Sequence, residues 1–217
     1  MRLKNYILFT IILLTGVIAN AQLESGLLLS LTNATTADIN ATTDAATGSL
    51  VFNTDTNQVY VFDGTSWSQM GQKTTYTGTF RISGTGAVSV SGIPFQPSSV
   101  SFVAYANIED FDINADNGTR NNENGLPNAY GSMKGFARDD NGTITEQVIF
   151  NGGSGNSIND ISRYASSAHS IGLRYANQNG DNLGLTTATV TAFTSNGFTL
   201  NTDNYADGIV VIFEAHR

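Results

Sequence analysis

An antiparallel, jelly-roll-like β-sandwich preceded by a small β-hairpin module is the fold class that this all-β sequence predicts. Charged residues make up only 13% of the chain, whereas glycine alone contributes 22 residues. Short stretches of alternating apolar and polar residues recur between Gly/Asn-rich segments, which is the pattern of strands joined by tight turns. These observations favour strands over helices throughout the chain.

The first 21 residues have the layout of a secretory signal peptide. Arg2 and Lys4 precede an apolar run over residues 6–18, and Ala19-Asn20-Ala21 places small residues at the cleavage position. We expect a mature chain that begins near Gln22 and is secreted or displayed at the cell surface, with the periplasm as the alternative compartment. No membrane insertion is expected once the signal peptide is removed.

The mature chain is predicted to be strongly acidic and held together by its core alone. Two of the 10 Lys+Arg residues lie in the signal peptide, which leaves 8 against 18 Asp+Glu and a net charge of −10. Such a chain repels phosphate groups, so nucleic acid is not expected as a partner. Cysteine is absent, so no disulfide can stabilise the fold, and a chain of this length can bury a sufficient core.

Two regions are predicted between the signal peptide and the sandwich. Residues 22–47 are rich in Thr, Ala and Asn and are predicted to be a linker with at most a short helix over 35–46. Residues 48–73 are predicted to be a small β-hairpin module, with strands at 50–52 and 59–62 and a third short strand at Trp67. So few strands bury little surface, and the apolar face of the module is therefore expected to meet another copy or a neighbouring domain.

Residues 74–217 are predicted to form the β-sandwich. Alternation over 100–106 and 187–192 indicates half-buried strands, and Asn196-Gly197 indicates a hairpin turn. The apolar run 209–213 is typical of a central strand whose side chains are all committed to the core.

Two polar stretches, 107–128 and 151–160, are predicted to be the longest loops, and loops of such length are often functional. In the first, oxygen-bearing side chains recur at every second position before a glycine: Asp110, Asp112, Asn114 and Asp116. Calcium takes about six to eight oxygen ligands, so this spacing predicts a calcium site. The alternative is a plain turn-rich loop, because Asp and Asn also tolerate turn geometry.

The residue inventory predicts a protein without catalytic residues. There are two histidines and no thiol, and His169 has no obvious serine or carboxylate partner nearby in the sequence. The stretch 152–156 approaches the nucleophile-elbow pattern, but Asn156 stands in place of its second glycine.

A bound ligand is expected to contact aromatic residues near the polar loops. Tyr130, Tyr164 and Tyr175 are candidate platforms on which a sugar ring could stack, and His169 lies close to Tyr164 in the sequence. The alternative is that these tyrosines cover the edge of the core with only their hydroxyl groups in water.

Residues 26–71 contain three short motifs, Gly26-Leu-Leu-Leu29, Phe52-Asn-Thr-Asp-Thr-Asn57 and Gly64-Thr-Ser-Trp67. With these motifs, the segment resembles a small module of Bacteroidota surface proteins and phage tail fibres. The resemblance implies an extended, oligomeric and often trimeric surface protein in which the module performs no chemistry.

Residues 74–217 begin with Gly78-Thr-Phe80 and Phe95-Gln-Pro97 and include the closing hairpin Gly197-Phe-Thr-Leu200. With these motifs, they resemble tail-fibre and secreted β-sandwich domains, and more weakly the H-type lectins. The resemblance implies a non-enzymatic cell-surface or fibre-associated interaction protein, a homotrimer whose sandwich binds a partner such as a cell-surface protein. The lectin likeness implies the alternative, a carbohydrate-binding adhesin whose partner is a glycan.

Overall fold

The computed structural model describes residues 30–112 and 126–217, which belong to two compact units, one ending at Gln72 and the other beginning at Lys73. Nearly all regular structure in both units is β-strand, so the all-β prediction is confirmed. The predicted signal peptide lies outside the described residues. Within these residues, no helix combines the length and the apolar character needed to cross a membrane.

The described part of the first unit, residues 30–72, is a four-stranded sheet with one short helix. Its elements in chain order are β1 (Thr32–Ala34), α1 (Thr36–Ala41), β2 (Leu50–Asn53), β3 (Gln58–Phe62) and β4 (Trp67–Gln69). Strand β1 pairs in parallel with β2, whereas β2, β3 and β4 are antiparallel neighbours. Part of the predicted linker therefore belongs to the sheet. A strand of three residues is too short to show alternation in the sequence, and its pairing with β2 holds it in place.

The second unit is a sandwich of a six-stranded and a four-stranded sheet. Its strands are β5 (Thr75–Ile82), β6 (Gly86–Ser91), β7 (Ser99–Tyr105), β8 (Ala129–Asp139), β9 (Ile144–Ser154), β10 (Ser157–Ser166), β11 (Ile171–Ala176), β12 (Asn182–Thr194), β13 (Gly197–Asn204) and β14 (Ile209–His216). The larger sheet has the order β10-β9-β8-β7-β14-β5, and the smaller has the order β11-β12-β13-β6. All neighbouring strands are antiparallel, which confirms the predicted antiparallel sandwich.

The first three strands of the sandwich alternate between the sheets, because β5 and β7 belong to the larger sheet and β6 to the smaller. The last two strands, β13 and β14, pair with these first strands again. Strand β14 lies between β5 and β7 and pairs with both, as in a jelly roll, whereas β7 to β10 follow one another as a meander. The apolar run 209–213 thus forms an internal strand, as predicted. The expectation that all its side chains enter the core is wrong for Ile212, which is 46% exposed because successive residues of a strand face opposite sides of the sheet.

The core between the two sheets is centred on an aromatic cluster. Phe198 from the smaller sheet is fully buried, and its ring centroid lies 6.0, 5.7 and 5.2 Å from those of Phe80, Phe102 and Phe213 in the larger sheet. In all three contacts the ring planes are nearly perpendicular, which is a favoured arrangement for aromatic pairs. Phe198 therefore packs against three neighbouring strands of the larger sheet, β5, β14 and β7.

Residues 151–160 form a hairpin, and the prediction of a long loop there is wrong. Strand β9 continues to Ser154 and β10 begins at Ser157, so only two residues form the turn. A Cβ atom at Gly152 would lie 2.0 Å from the carbonyl oxygen of Tyr130. Glycine is needed here for close backbone packing within the sheet, although it gives the sequence the composition of a loop. Of the other predicted loop, residues 113–125 lie outside the described residues.

Candidate functional site

The Phe-Asn-Thr-Asp-Thr-Asn motif ties the β2–β3 turn to the start of α1. The buried Asn53 side chain accepts hydrogen bonds from the backbone N–H groups of Asp55 (2.9 Å) and Thr56 (3.2 Å) and donates one to the Thr36 hydroxyl (3.0 Å). The Asp55 carboxylate accepts the backbone N–H of Thr36 (2.8 Å). Such bonds satisfy donors that a turn and a helix N-terminus leave unpaired, so the motif has an architectural role.

The turn after β3 returns Trp67 to the sheet. One carboxylate oxygen of Asp63 accepts the backbone N–H groups of Ser66 and Thr65, both at 2.7 Å. The hydrogen bonds from Ser66 and Thr65 hold the pKa of Asp63 well below its usual range. The Trp67 ring packs with its centroid 5.2 Å from that of Phe62, so the Gly-x-x-Trp motif also serves the local fold.

One face of the four-stranded sheet is apolar and incompletely covered. Alternation places Val51 with Asn53, on the side that bonds α1, and Val51 is buried. The opposite side is here called the small-sheet face, and each of its apolar residues is exposed or half-buried: Leu50, Phe52, Val59, Val61 and Met70. Leu50 pairs with Val61 across the strands, and Leu50 and Met70 are 44% and 47% exposed.

Among the described residues of the second unit, most of the exposed large apolar side chains lie on the solvent side of the six-stranded sheet. Their exposed fractions range from 36% to 61%, and they are Tyr105, Tyr130, Phe136, Ile149, Ile161 and Ile212. This side is here called the outer face. Strand pairing aligns Ile212, Val103, Lys134 and Ile149 side by side across four strands. Contiguous exposed apolar side chains of this kind mark interaction sites.

A groove of about 690 Å³ crosses the outer face over β7, β8 and β9. Its apolar walls include Val103, Tyr105 and Ile149, and its polar groups include Gln147 and Asn151. A groove with apolar walls and a few polar groups is the usual form of a binding surface.

Among the described residues, basic side chains outnumber carboxylates on the outer face of the strands, although the chain carries a net charge of −8. Four basic side chains project from it: Arg81, Lys134, Arg138 and Arg163. Two of these are paired with aspartates, whereas Lys134 and Arg163 form no ion pair within the described residues. Glu214 is the one carboxylate that alternation places on this side of the six described strands. The face therefore combines apolar side chains with two basic side chains, Lys134 and Arg163, that have no ion pair among the described residues.

Small and polar side chains occupy the solvent side of the four-stranded sheet over the middle of β6, β13 and β12. Strand pairing aligns Ala87, Asn201 and Thr189 there, and the Thr191 and Thr199 hydroxyl groups bond each other at 2.8 Å. The apolar character of the outer face is thus a property of one sheet and not of the whole sandwich.

His169 connects the two sheets at the β10–β11 corner. Its Nε2 lies 2.8 Å from a carboxylate oxygen of Asp203 on β13, and its Nδ1 lies 3.1 Å from the Tyr164 hydroxyl and 3.0 Å from that of Ser166. The other Asp203 oxygen accepts the Thr187 hydroxyl at 2.5 Å. Asp203 is 34 positions from His169 in the chain, so no local pattern in the sequence could indicate this partner.

The contacts of His169 are arranged as a structural clasp. In a Ser-His-Asp triad the serine bonds Nε2 and the carboxylate bonds Nδ1, whereas here the two nitrogens have exchanged partners. The Ser166 oxygen also accepts the backbone N–H of Ala168 at 3.1 Å. Burial by itself would raise the pKa of Asp203, but the hydrogen bonds from Thr187 and His169 outweigh it and lower the pKa.

Glu146 forms a second polar link between the sheets. It is 7% exposed, and its carboxylate on β9 accepts the backbone N–H of Val190 on β12 at 2.6 Å. Burial raises the pKa of this carboxyl group in spite of that hydrogen bond. The sequence analysis did not single out Glu146, because nothing in its neighbourhood distinguishes a carboxylate that enters the core from one in solvent.

The structure separates the four predicted ligand-binding residues. Tyr130 is 53% exposed on the outer face, whereas Tyr164 and His169 form part of the clasp on the other side of the same sheet. Tyr175 is 1% exposed and lies in the core, where burial raises its pKa. Tyr175 is therefore excluded as a binding platform, because β11 turns its ring into the core, toward the six-stranded sheet.

Two of the four predicted calcium ligands, Asn114 and Asp116, lie outside the described residues. Of the other two, Asp110 forms an ion pair with Arg81, and Asp112 is exposed. Among the residues that the structure describes, no group of three His, Cys, Asp or Glu side chains is placed to hold a metal ion.

Residues 18–85 match the model of a protein family described as a phage tail like trimerisation region. The match covers about a third of the chain, including all described residues of the first unit and strand β5 of the sandwich. Comparisons with curated proteins and with solved structures found no match. The match supports a module of the phage tail-fibre type within this chain.

Proposed function

We propose that this chain is a secreted, non-enzymatic structural protein of the fibre type, which assembles as a homotrimer and displays its C-terminal sandwich at a cell surface or on a fibre to bind a partner. The match of residues 18–85 to a trimerisation region is the observation that carries the proposal. The motif residues of the module maintain its own fold, which accords with an architectural role.

The small-sheet face is the proposed contact between copies in the first unit. A four-stranded sheet buries little surface by itself, yet five apolar side chains on this face are exposed or half-buried. Fully burying one such side chain contributes roughly 1.5–3 kcal/mol, so covering the face in each of three copies would offset the entropic cost of association.

Light scattering on the purified mature chain tests the trimer. The expected mass is three times that of one chain. Val61→Asp places a charge in the centre of the small-sheet face and should dissociate the trimer, because an unpaired charge is costly to bury. Thr56→Asp in the exposed β2–β3 turn is the matched control and should leave the mass unchanged. A wild-type mass of one chain at micromolar concentration would contradict the proposal.

The outer face of the sandwich is suited to contact with a protein surface, either that of a partner or that of another copy of this chain. Ile149, Ile161 and Ile212 are branched aliphatic side chains that are 61%, 58% and 46% exposed. Aliphatic side chains gain by burial against other apolar groups, whereas sugar rings present hydroxyl groups that need polar partners.

A second candidate function is that of a carbohydrate-binding adhesin. It is favoured by Tyr105 and Tyr130, which are about half-exposed on the outer face, and by Asn151 in the adjoining groove. Flat rings beside amide groups suit the stacking and hydrogen bonding of a sugar. Binding to a glycan array that is lost in Tyr130→Ala, but retained in Tyr205→Ala away from the groove, would establish this alternative. An array without binding would remove it.

Calcium and secretion complete the proposal. If the Asp/Asn-rich segment binds calcium, added calcium should raise the melting temperature, and Asp112→Ala should abolish the rise. Equal melting temperatures with calcium and with chelator would exclude a stabilising site.

N-terminal sequencing of protein recovered from culture medium should begin at Gln22. Recovery of the full-length chain from the cytosol would contradict secretion.

A further inference from the structure

We propose that, in the trimer, the outer face of each six-stranded sheet is covered by the sandwich of a neighbouring copy. The inference rests on the proposed trimer and names the occupant of the larger sheet. Its first support is the extent of the family match, which includes the whole of β5. Strand β5 is an edge strand of that sheet and pairs with β14, which carries Ile212 of the outer face. The trimerisation region thus ends inside the sheet whose solvent side is apolar.

Charge complementarity is the second support. Lys134 and Arg163 have no ion pair among the described residues, whereas the chain as a whole has 18 acidic and 10 basic residues. The described sandwich also carries exposed carboxylates away from the outer face, such as Asp139 at the end of β8 and Asp181 between β11 and β12. A second copy can therefore supply carboxylates to Lys134 and Arg163, and such pairing favours contact between the two copies.

Tethering removes much of the cost of this contact. Three sandwiches connected to one trimeric region meet at an effective concentration in the millimolar range, so an interface too weak to form between free domains can form here. A closed ring of three copies also requires that the face of one copy meets a different surface of the next. The polar solvent side of the four-stranded sheet remains free for solvent in this arrangement.

Thiol labelling of the full-length mature chain tests the inference, because the chain has no native cysteine. Ile149→Cys reports on the outer face, and Asn201→Cys on the polar side of the other sheet is the matched control. Both positions are exposed in the single chain. In the trimer we expect the Ile149→Cys thiol to react with a maleimide at least ten times more slowly than the Asn201→Cys thiol. Adding Lys134→Glu to Ile149→Cys should bring the two rates together, whereas adding Arg217→Glu should not.

The mass of each variant separates the two proposals. A trimer with a slow Ile149→Cys thiol supports the inference. A trimer in which both thiols react at similar rates overturns it while leaving the proposed function intact, and it would leave the outer face open to another protein or a glycan. A wild-type monomer overturns the proposed trimer and the inference together.

Discussion

Truncation of Phe198 to alanine should destabilise the sandwich more than any single change on its surface. Phe198 is fully buried, and its ring contacts three phenylalanine rings of the opposite sheet at centroid distances of 5.2 to 6.0 Å. A buried Phe→Ala change costs about 3–5 kcal/mol, and each aromatic pair adds about 0.5–1.5 kcal/mol beyond its buried area. The range for Phe→Ala already contains such pair contributions. Because three pairs are lost together, we expect a loss near its upper end, about 4–5 kcal/mol, in the free energy of unfolding.

That loss is a large part of the stability of a typical domain, which is about 5–15 kcal/mol. For a unit of this size it corresponds to a melting temperature lower by about 15 °C. Thermal unfolding followed by circular dichroism at one protein concentration measures the shift. Leu183→Ala is the control, because Leu183 is 40% exposed, and it should shift the melting temperature by at most a few degrees. Equal shifts in the two variants would refute the view that the packing of Phe198 against three strands of the larger sheet stabilises the sandwich.

Three further changes test the packing and the polar links between the sheets. Gly135→Ala should cost about 3 kcal/mol or more, because the new Cβ would lie 2.0 Å from the Ser170 carbonyl oxygen, whereas Gly84→Ala, with no atom within 4 Å, should be nearly neutral in the same melt. Glu146→Gln should raise the melting temperature at pH 7. This gain should shrink as the pH falls through the raised pKa of Glu146, because the wild-type carboxyl group then becomes neutral as well. A gain in melting temperature that does not depend on pH would contradict this account. Asp203→Asn should destabilise at pH 7. Because the pKa of Asp203 is lowered, its stabilising effect is fully present above about pH 4 and is lost as the pH falls through the folded-state pKa. The difference in melting temperature between Asp203→Asn and wild type should therefore disappear in acid. A difference that stays constant with pH would count against an ionic contribution.

Local sequence patterns were sufficient for the strands that have one buried side and a standard turn. The Asn196-Gly197 turn connects β12 and β13 as predicted, and the alternation over 100–106 appears in β7 as buried Val100, Phe102 and Ala104. They were not sufficient where glycine has a packing role. Gly152 lies in a strand because its missing side chain lets two backbones approach, which cannot be distinguished in sequence from glycine in a loop.

The residues proposed to act at a surface depended even more on tertiary placement. Tyr130, Tyr164 and Tyr175 have similar sequence surroundings, yet one is exposed, one is held by His169 and one is in the core. Alternation indicates that a strand has two different sides, but it does not show which side meets the second sheet when both carry large apolar residues.

The sequence by itself determined the all-β class, the acidic and cysteine-free character and the module of the tail-fibre type, because composition, charge and short motifs are local properties of the chain. Only the tertiary structure decided that Asp203 meets His169 across 34 positions and that Ile149 and Ile212 lie on one open face. Those relations depend on strand order and register, which are set by packing between residues far apart in the chain.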